Sequence, residues 1–225
     1  MSMRLGRSVD IYTYYPYVAN VDNPEAVPFT TTEQKDWMWA TPKTIDNISE
    51  GSEDNKLKPV FHHAMTCIEV RLSTLYEGTV NLNSITLSDA KSQLTSGGTM
   101  NITNGSLTYI ADQPSITIKG NNYNSDLLPT TGDGTLSYCF LMPEKEFEAG
   151  DLSMTFYFDA AKTPGRTVFT VPTRFKNSEG NTVDVTKLET GKKYVLNLVI
   201  DNALTIRPIS CSKEDWATVD VDLKI

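Results

Sequence analysis

His62 and His63 are the two histidines of the chain, and they head the residues that could move a proton or bind a metal. They are adjacent in a run rich in apolar residues, so a strand would point their rings to opposite faces and deny both to one metal. No HExxH or GxSxG pattern accompanies them. Phe61, His63 and Met65 share one face of that run, whereas Ile68, Val70 and Leu72 share a face one residue out of step. The slip predicts a β-bulge near Thr66-Cys67. His63 is therefore expected to be a hydrogen-bonded core histidine beside Phe61.

Glu144, Glu146 and Glu148 alternate after Pro143 and mimic an acid/base pair. With no histidine partner nearby, a solvated loop is the simpler reading. Gly97-Gly98 lacks the lysine and the helix that a phosphate loop requires. Asp133-Gly134 and the stretch Asn121-Asn122-Tyr-Asn124-Ser-Asp126 carry oxygens without EF-hand spacing and read as turns. Cys67, Cys139 and Cys211 lie far apart and show no CxxC spacing, which excludes a complete disulfide framework and a zinc signature. Cys67 and Cys139 fall in strand-like runs and are expected to be inert core thiols. Trp37 and Trp39 are the ambiguous pair, either a sugar-stacking platform or packing anchors, with packing favoured because Met38 and Ala40 are apolar too. No catalytic residue, metal site or cofactor follows from these patterns.

The elements that would position these residues are strands. Runs at Val9–Tyr15, Val60–Leu72, Val80–Leu87, Ser106–Ile110, Ser115–Ile118, Leu136–Met142 and Leu152–Phe158 are β-branched, aromatic or alternating. Arg166–Val171, Thr182–Val185, Lys193–Ile206 and Trp216–Ile225 complete the set. Gly97-Gly98, Asn104-Gly105, Asp133-Gly134, Pro164-Gly165 and Glu179-Gly180 read as the turns between them. Short strands with this punctuation predict an all-β sandwich or barrel. Lys187–Thr190 could form one helical turn that Gly191 ends. The polar stretch from Asp46 to Lys58 reads as a linker, dividing the chain at 57/58.

The 225 residues, with 39% hydrophobic, suffice for one large β domain or two small ones. Twenty Lys plus Arg against 28 Asp plus Glu give a formal charge of −8, which argues against nucleic acid and against an anionic membrane surface. No run of about 18 apolar residues is present to span a membrane as a helix. The first seven residues lack the apolar core of a signal peptide, so either the protein stays inside the cell or its true beginning lies upstream.

Four pieces taken in order resemble the fimbrillin family of Bacteroides-type bacteria, whose members are pilins and surface adhesins. Tyr14-Tyr15-Pro16-Tyr17 resembles the strand closing that family's first domain. Gln34 followed by Asp36-Trp-Met-Trp-Ala40 is similar to its linker, and Phe61-His-His63-Ala64 to the opening of its second domain. Leu188-x-x-Gly191-Lys-Lys-Tyr194 and Trp216 are similar to its late motifs. The resemblance implies a transthyretin-like β-sandwich at residues 58–225, with residues 1–57 a remnant of a first domain plus linker. It also implies a fimbrial subunit or cell-surface adhesin without enzymatic activity or cofactor, exported as an outer-membrane lipoprotein. Its partners would be other fimbrillin subunits, in homo- or hetero-polymers, and a host or glycan receptor. A membrane would be reached only through a lipid anchor outside this chain, since nothing before Val9 matches the family's signal sequence or lipidated cysteine.

The last residues alternate, with Val219, Val221, Leu223 and Ile225 on one face and Asp220, Asp222 and Lys224 on the other. They form either a final strand of their own sandwich or, as the resemblance implies, a donor strand for a neighbouring subunit. The alternative function is a carbohydrate-binding module for surface glycan capture, built on Trp37 and Trp39. A hydrolase is disfavoured because no triad or carboxylate geometry is present.

Overall fold

Two-residue periodicity decides which side chains enter the core. In the strand Leu152–Ala160, the residues Leu152, Met154, Phe156, Phe158 and Ala160 are all 4% exposed or less, while Ser153, Thr155, Tyr157 and Asp159 face outward. The computed structural model describes residues 8–45, 56–119, 125–220 and 223–224. Every regular element among these residues is a strand.

Leu152–Ala160 sits in an antiparallel sheet with the order Ser115–Lys119, Val80–Asp89, Leu152–Ala160, Thr163–Thr170. Asp126–Leu127 extends it beside Val80–Asp89. The opposing six-stranded sheet has the order Leu136–Met142, Thr66–Thr74, Lys192–Ile200, Ile206–Asp215, Arg174–Lys176, Thr182–Asp184. Within it, Thr66–Thr74 runs parallel to Lys192–Ile200. Ile68, Val70, Leu72, Phe140, Leu196 and Leu198 from this sheet meet Leu82, Ile85, Leu87, Met154, Phe156 and Phe158 from the other in one apolar cluster. That cluster is the core of a sandwich.

A second, smaller core lies at one end. A four-stranded sheet with the order Val9–Tyr15, Met38–Ile45, Val60–His63, Val219–Asp220 and a three-stranded sheet with the order Val27–Thr30, Leu94–Met100, Leu107–Gln113 flank it. Val27, Phe29, Trp37, Ala64, Met65, Cys67 and Met100 fill it. Strands on both sides of the expected 57/58 division share the four-stranded sheet, through Met38–Ala40 opposite Phe61–His63. Val9–Tyr15 ends at a cis Tyr15-Pro16 bond.

Several local expectations are corrected. The phase slip after Phe61 and His63 is no bulge at Thr66-Cys67. The chain leaves one sheet after His63, bends at Ala64-Met65 and enters another at Thr66. Gly97-Gly98 is not a turn but lies within Leu94–Met100, where a Cβ on either glycine would collide with backbone of a neighbouring strand. Pro164-Gly165 also lies inside a strand. The hairpin there turns on Ala161 and Lys162, whose φ values are 49° and 69°, as a two-residue primed turn requires. Lys187-Leu188 is a short strand against Lys145-Glu146 rather than a helical turn. Cys139 is not a core thiol, because its strand turns it away from the sandwich interior and leaves it exposed.

Candidate functional site

The four-stranded sheet brings His63 under the C-terminal segment. His63 follows Phe61 in phase, so its ring turns inward and is only 6% exposed. Its Nδ1 lies 2.9 Å from Asp36 Oδ2, and its Nε2 lies 2.9 Å from the Ala217 carbonyl oxygen. Both partners are acceptors, so the ring N–H can be donated to either of them. The Trp216 ring stacks on His63 with centroids 3.7 Å apart. Backbone bonds fasten the same place: Ala64 N–H to Trp37 C=O, Gly191 N–H to Met65 C=O, and Trp216 N–H to Gly191 C=O. Nearby, Gln34 pairs with the backbone of Leu141 in both directions, accepting from its N–H at 2.8 Å and donating to its carbonyl at 3.2 Å. A buried polar network that is fully paired in this way holds its members rigidly.

A groove of about 560 Å³ opens beside this junction, lined by His62 as well as His63. Trp39, His62, Tyr109 and Trp216 supply its aromatic walls. The Trp39 and His62 ring centroids are 5.4 Å apart. Gly105 has φ +73°, and a Cβ there would collide with the Trp39 indole, so this glycine lets the ring seat against the loop. The Tyr109 hydroxyl donates to the Glu144 carbonyl at 3.0 Å. Burial, with help from the Glu144 charge, pushes the Tyr109 phenol up, so it is a neutral hydroxyl at physiological pH. The Glu144 carboxylate is paired with Lys187 at 2.9 Å.

The model of a family described as fimbrillin-like matches residues 5–216. The chain belongs to this family. Its fold is similar to that of a candidate cell adhesion protein from Bacteroides uniformis, at 16% identity and a TM-score of 0.59, covering 94% of this chain and 74% of that one. A candidate cell adhesion protein from Bacteroides ovatus is similar at 14% identity and a TM-score of 0.54, covering 95% of this chain and 70% of that one. A search of curated proteins finds no match.

In this fimbrillin-like chain, the residues that carried the resemblance converge. Gln34, Asp36, His63, Gly191 and Trp216 all belong to the junction described above. Tyr194 is fully buried, donating its hydroxyl to Lys187 C=O and accepting from Glu189 N–H, both at 3.0 Å. Spacing along the chain could not show that these residues meet. The tryptophans separate: Trp37 is 4% exposed in the small core with no partner for its Nε1, whereas Trp39 lines the groove. A platform built from both does not exist. Trp216 and Tyr109, which the sequence reading did not single out for binding, take that place.

The other candidates scatter. Glu144 is bound to Lys187, Glu146 lies in a short strand, and Glu148 lies 3.4 Å from Lys91. Asp126 accepts from the Tyr138 hydroxyl at 2.8 Å, and Asn121, Asn122 and Asn124 lie outside the described residues. Of the donor-strand candidates, Val219 pairs with Phe61 and is 42% exposed, and Leu223 pairs with Leu57. Val221 and Ile225 lie outside the described residues. Among the described residues no three His, Cys, Asp or Glu side chains gather as a metal site, and no helix is long and apolar enough to cross a membrane.

Proposed function

We propose that this chain is a structural subunit or adhesin of a surface fimbrium, without enzymatic activity, that assembles with other fimbrillin subunits by exchanging β-strands. The family match over residues 5–216 carries this reading. In this reading the protein is exported as an outer-membrane lipoprotein, residues 58–225 form the assembling domain, and residues 1–57 are the remnant of a preceding fimbrillin domain plus linker. Val219, Val221, Leu223 and Ile225 form the exchanged strand. Its support is the position of the described C-terminal residues. Val219-Asp220 is the last strand of its sheet, paired with Val60-Phe61, and Leu223-Lys224 pairs with Lys56-Leu57. Apolar residues moved from such a rim into a groove of another subunit contribute about 1.5–3 kcal/mol each. The backbone ladder would set the register.

The test uses the full chain beside one ending at Thr218, which keeps the Ala217 carbonyl that His63 holds. Exchange predicts a folded, shortened monomer with nearly the same melting temperature that no longer forms filaments. A shortened chain that unfolds, or melts far lower as a monomer, assigns the strand to its own sheet. Recovery of the full protein only from the soluble cytosol, and never from sheared surface filaments, would overturn the surface reading itself.

A further inference from the structure

The groove beside the C-terminal junction borders the smaller core, against which Trp39, Leu107, Tyr109 and Trp216 pack. Its walls mix aromatic faces with small polar groups: Trp39, His62, Tyr109 and Trp216 on one hand, Asn104, Ser106, Thr190 and Thr218 on the other. A second cavity of about 180 Å³ lies beside it and shares Tyr109, Pro143 and Glu144 in its lining.

The chemistry of the lining narrows the occupant. A phosphate or carboxylate ligand needs unpaired cations, yet Lys187 beside the groove is engaged by Glu144. A lipid tail needs a lining without hydroxyl and amide groups. A neutral saccharide fits what remains. Its C–H faces pack on indole and phenol rings, while its hydroxyls exchange hydrogen bonds with amide and hydroxyl side chains. Trp39 is also pre-seated, because Gly105 admits the indole where any other residue would exclude it. Little ordering is left for binding to impose.

We propose that this groove is a binding site for a neutral saccharide, with Trp39 and Trp216 as stacking surfaces and Tyr109 and Asn104 as hydrogen-bonding groups in its lining. The site is contained in one chain and does not depend on the exchanged strand, so filament assembly and sugar binding can fail separately. A volume of about 560 Å³ lies within the roughly 300–1,000 Å³ typical of ligand pockets.

The experiment screens the intact protein on an array of neutral mono- to tetrasaccharides, then titrates each hit while following tryptophan fluorescence. Binding is expected to shift the emission and to weaken at least about tenfold in Trp39→Ala and in Asn104→Ala. Asn104 lies in a turn on the surface, so Asn104→Ala keeps the test valid where Trp39→Ala fails to fold. Ser106→Trp, which fills the groove, is expected to abolish binding with the melting temperature retained. Three outcomes overturn the proposal: no saccharide binds, binding persists in all three variants, or only charged glycans added as controls bind. Competition by a synthetic peptide spanning residues 217–225, in the absence of any sugar effect, would reassign the groove to strand docking.

Discussion

The His63 ring lies flat on the Trp216 ring, with centroids 3.7 Å apart and planes within 6°. The residue after Trp216 supplies the carbonyl that His63 Nε2 binds, so stacking and hydrogen bonding reinforce one placement. His63→Ala removes the ring and leaves Asp36 and the Ala217 carbonyl without it. A loss of about 1–3 kcal/mol is expected, as for other truncations of buried polar groups. Urea unfolding at neutral pH measures it, and a midpoint equal to that of the unaltered chain would contradict the arrangement.

Asp89 is a buried carboxylate engaged through both of its oxygens. Its Oδ2 lies 2.8 Å from Lys145 Nζ, and its two oxygens accept the backbone N–H groups of Lys91 and Gln93 at 3.0 Å each. Burial by itself would raise the carboxyl, but the Lys145 ammonium and those two N–H groups outweigh it and hold it below its ordinary value. A depressed carboxyl stabilises the fold above its unfolded value of about 3.9 and loses that contribution as pH falls through its lower folded value. The melting temperature is therefore expected to fall below about pH 4, where unfolded Asp gains its proton. Asp89→Asn should cost about 3 kcal/mol at pH 7, because Lys145 is left buried without its partner, and should flatten the acid limb. Equal melting of the two proteins at pH 7 would refute the pair.

The three thiols should react in a fixed order. Cys139 is exposed, and a hydrogen bond from Cys67 lowers it. Cys67 is buried and pushed far up, chiefly by that same hydrogen bond and by burial, and burial also raises Cys211. Iodoacetamide at pH 8 is expected to label Cys139 first in the folded protein and to leave Cys67 unlabelled. Peptide mapping after a brief pulse reads the order. Prior labelling of Cys67 would contradict its burial in the smaller core.

Gly105→Ala places a methyl group in the Trp39 indole and forces an alanine to φ +73°. The strain costs about 1 kcal/mol or more. The side chain of Trp39 must shift, so the tryptophan emission should move to longer wavelength with the fold retained. An unchanged spectrum would show that the indole does not rest on this loop.

Alternation by itself determined much of this protein. Leu152 to Phe158 shows its buried face directly, because a pleated strand sends residues i and i+2 to the same side whatever lies beyond. The same rule buried His63 and turned His62 outward. Rules of local composition failed where a backbone neighbour intervened. Gly97-Gly98 has the composition of a turn, yet it serves strands that approach too closely for any side chain. Pairing partners could not be read at all. His63 meets Ala217 across 154 residues of chain, and Asp36 meets His63 across 27. Trp37 and Trp39 differ by one pleat repeat, but one enters the small core and the other walls a groove, since the first precedes its strand and the second lies within it. Periodicity reports which face a residue takes, and only the packing of sheets decides what that face meets.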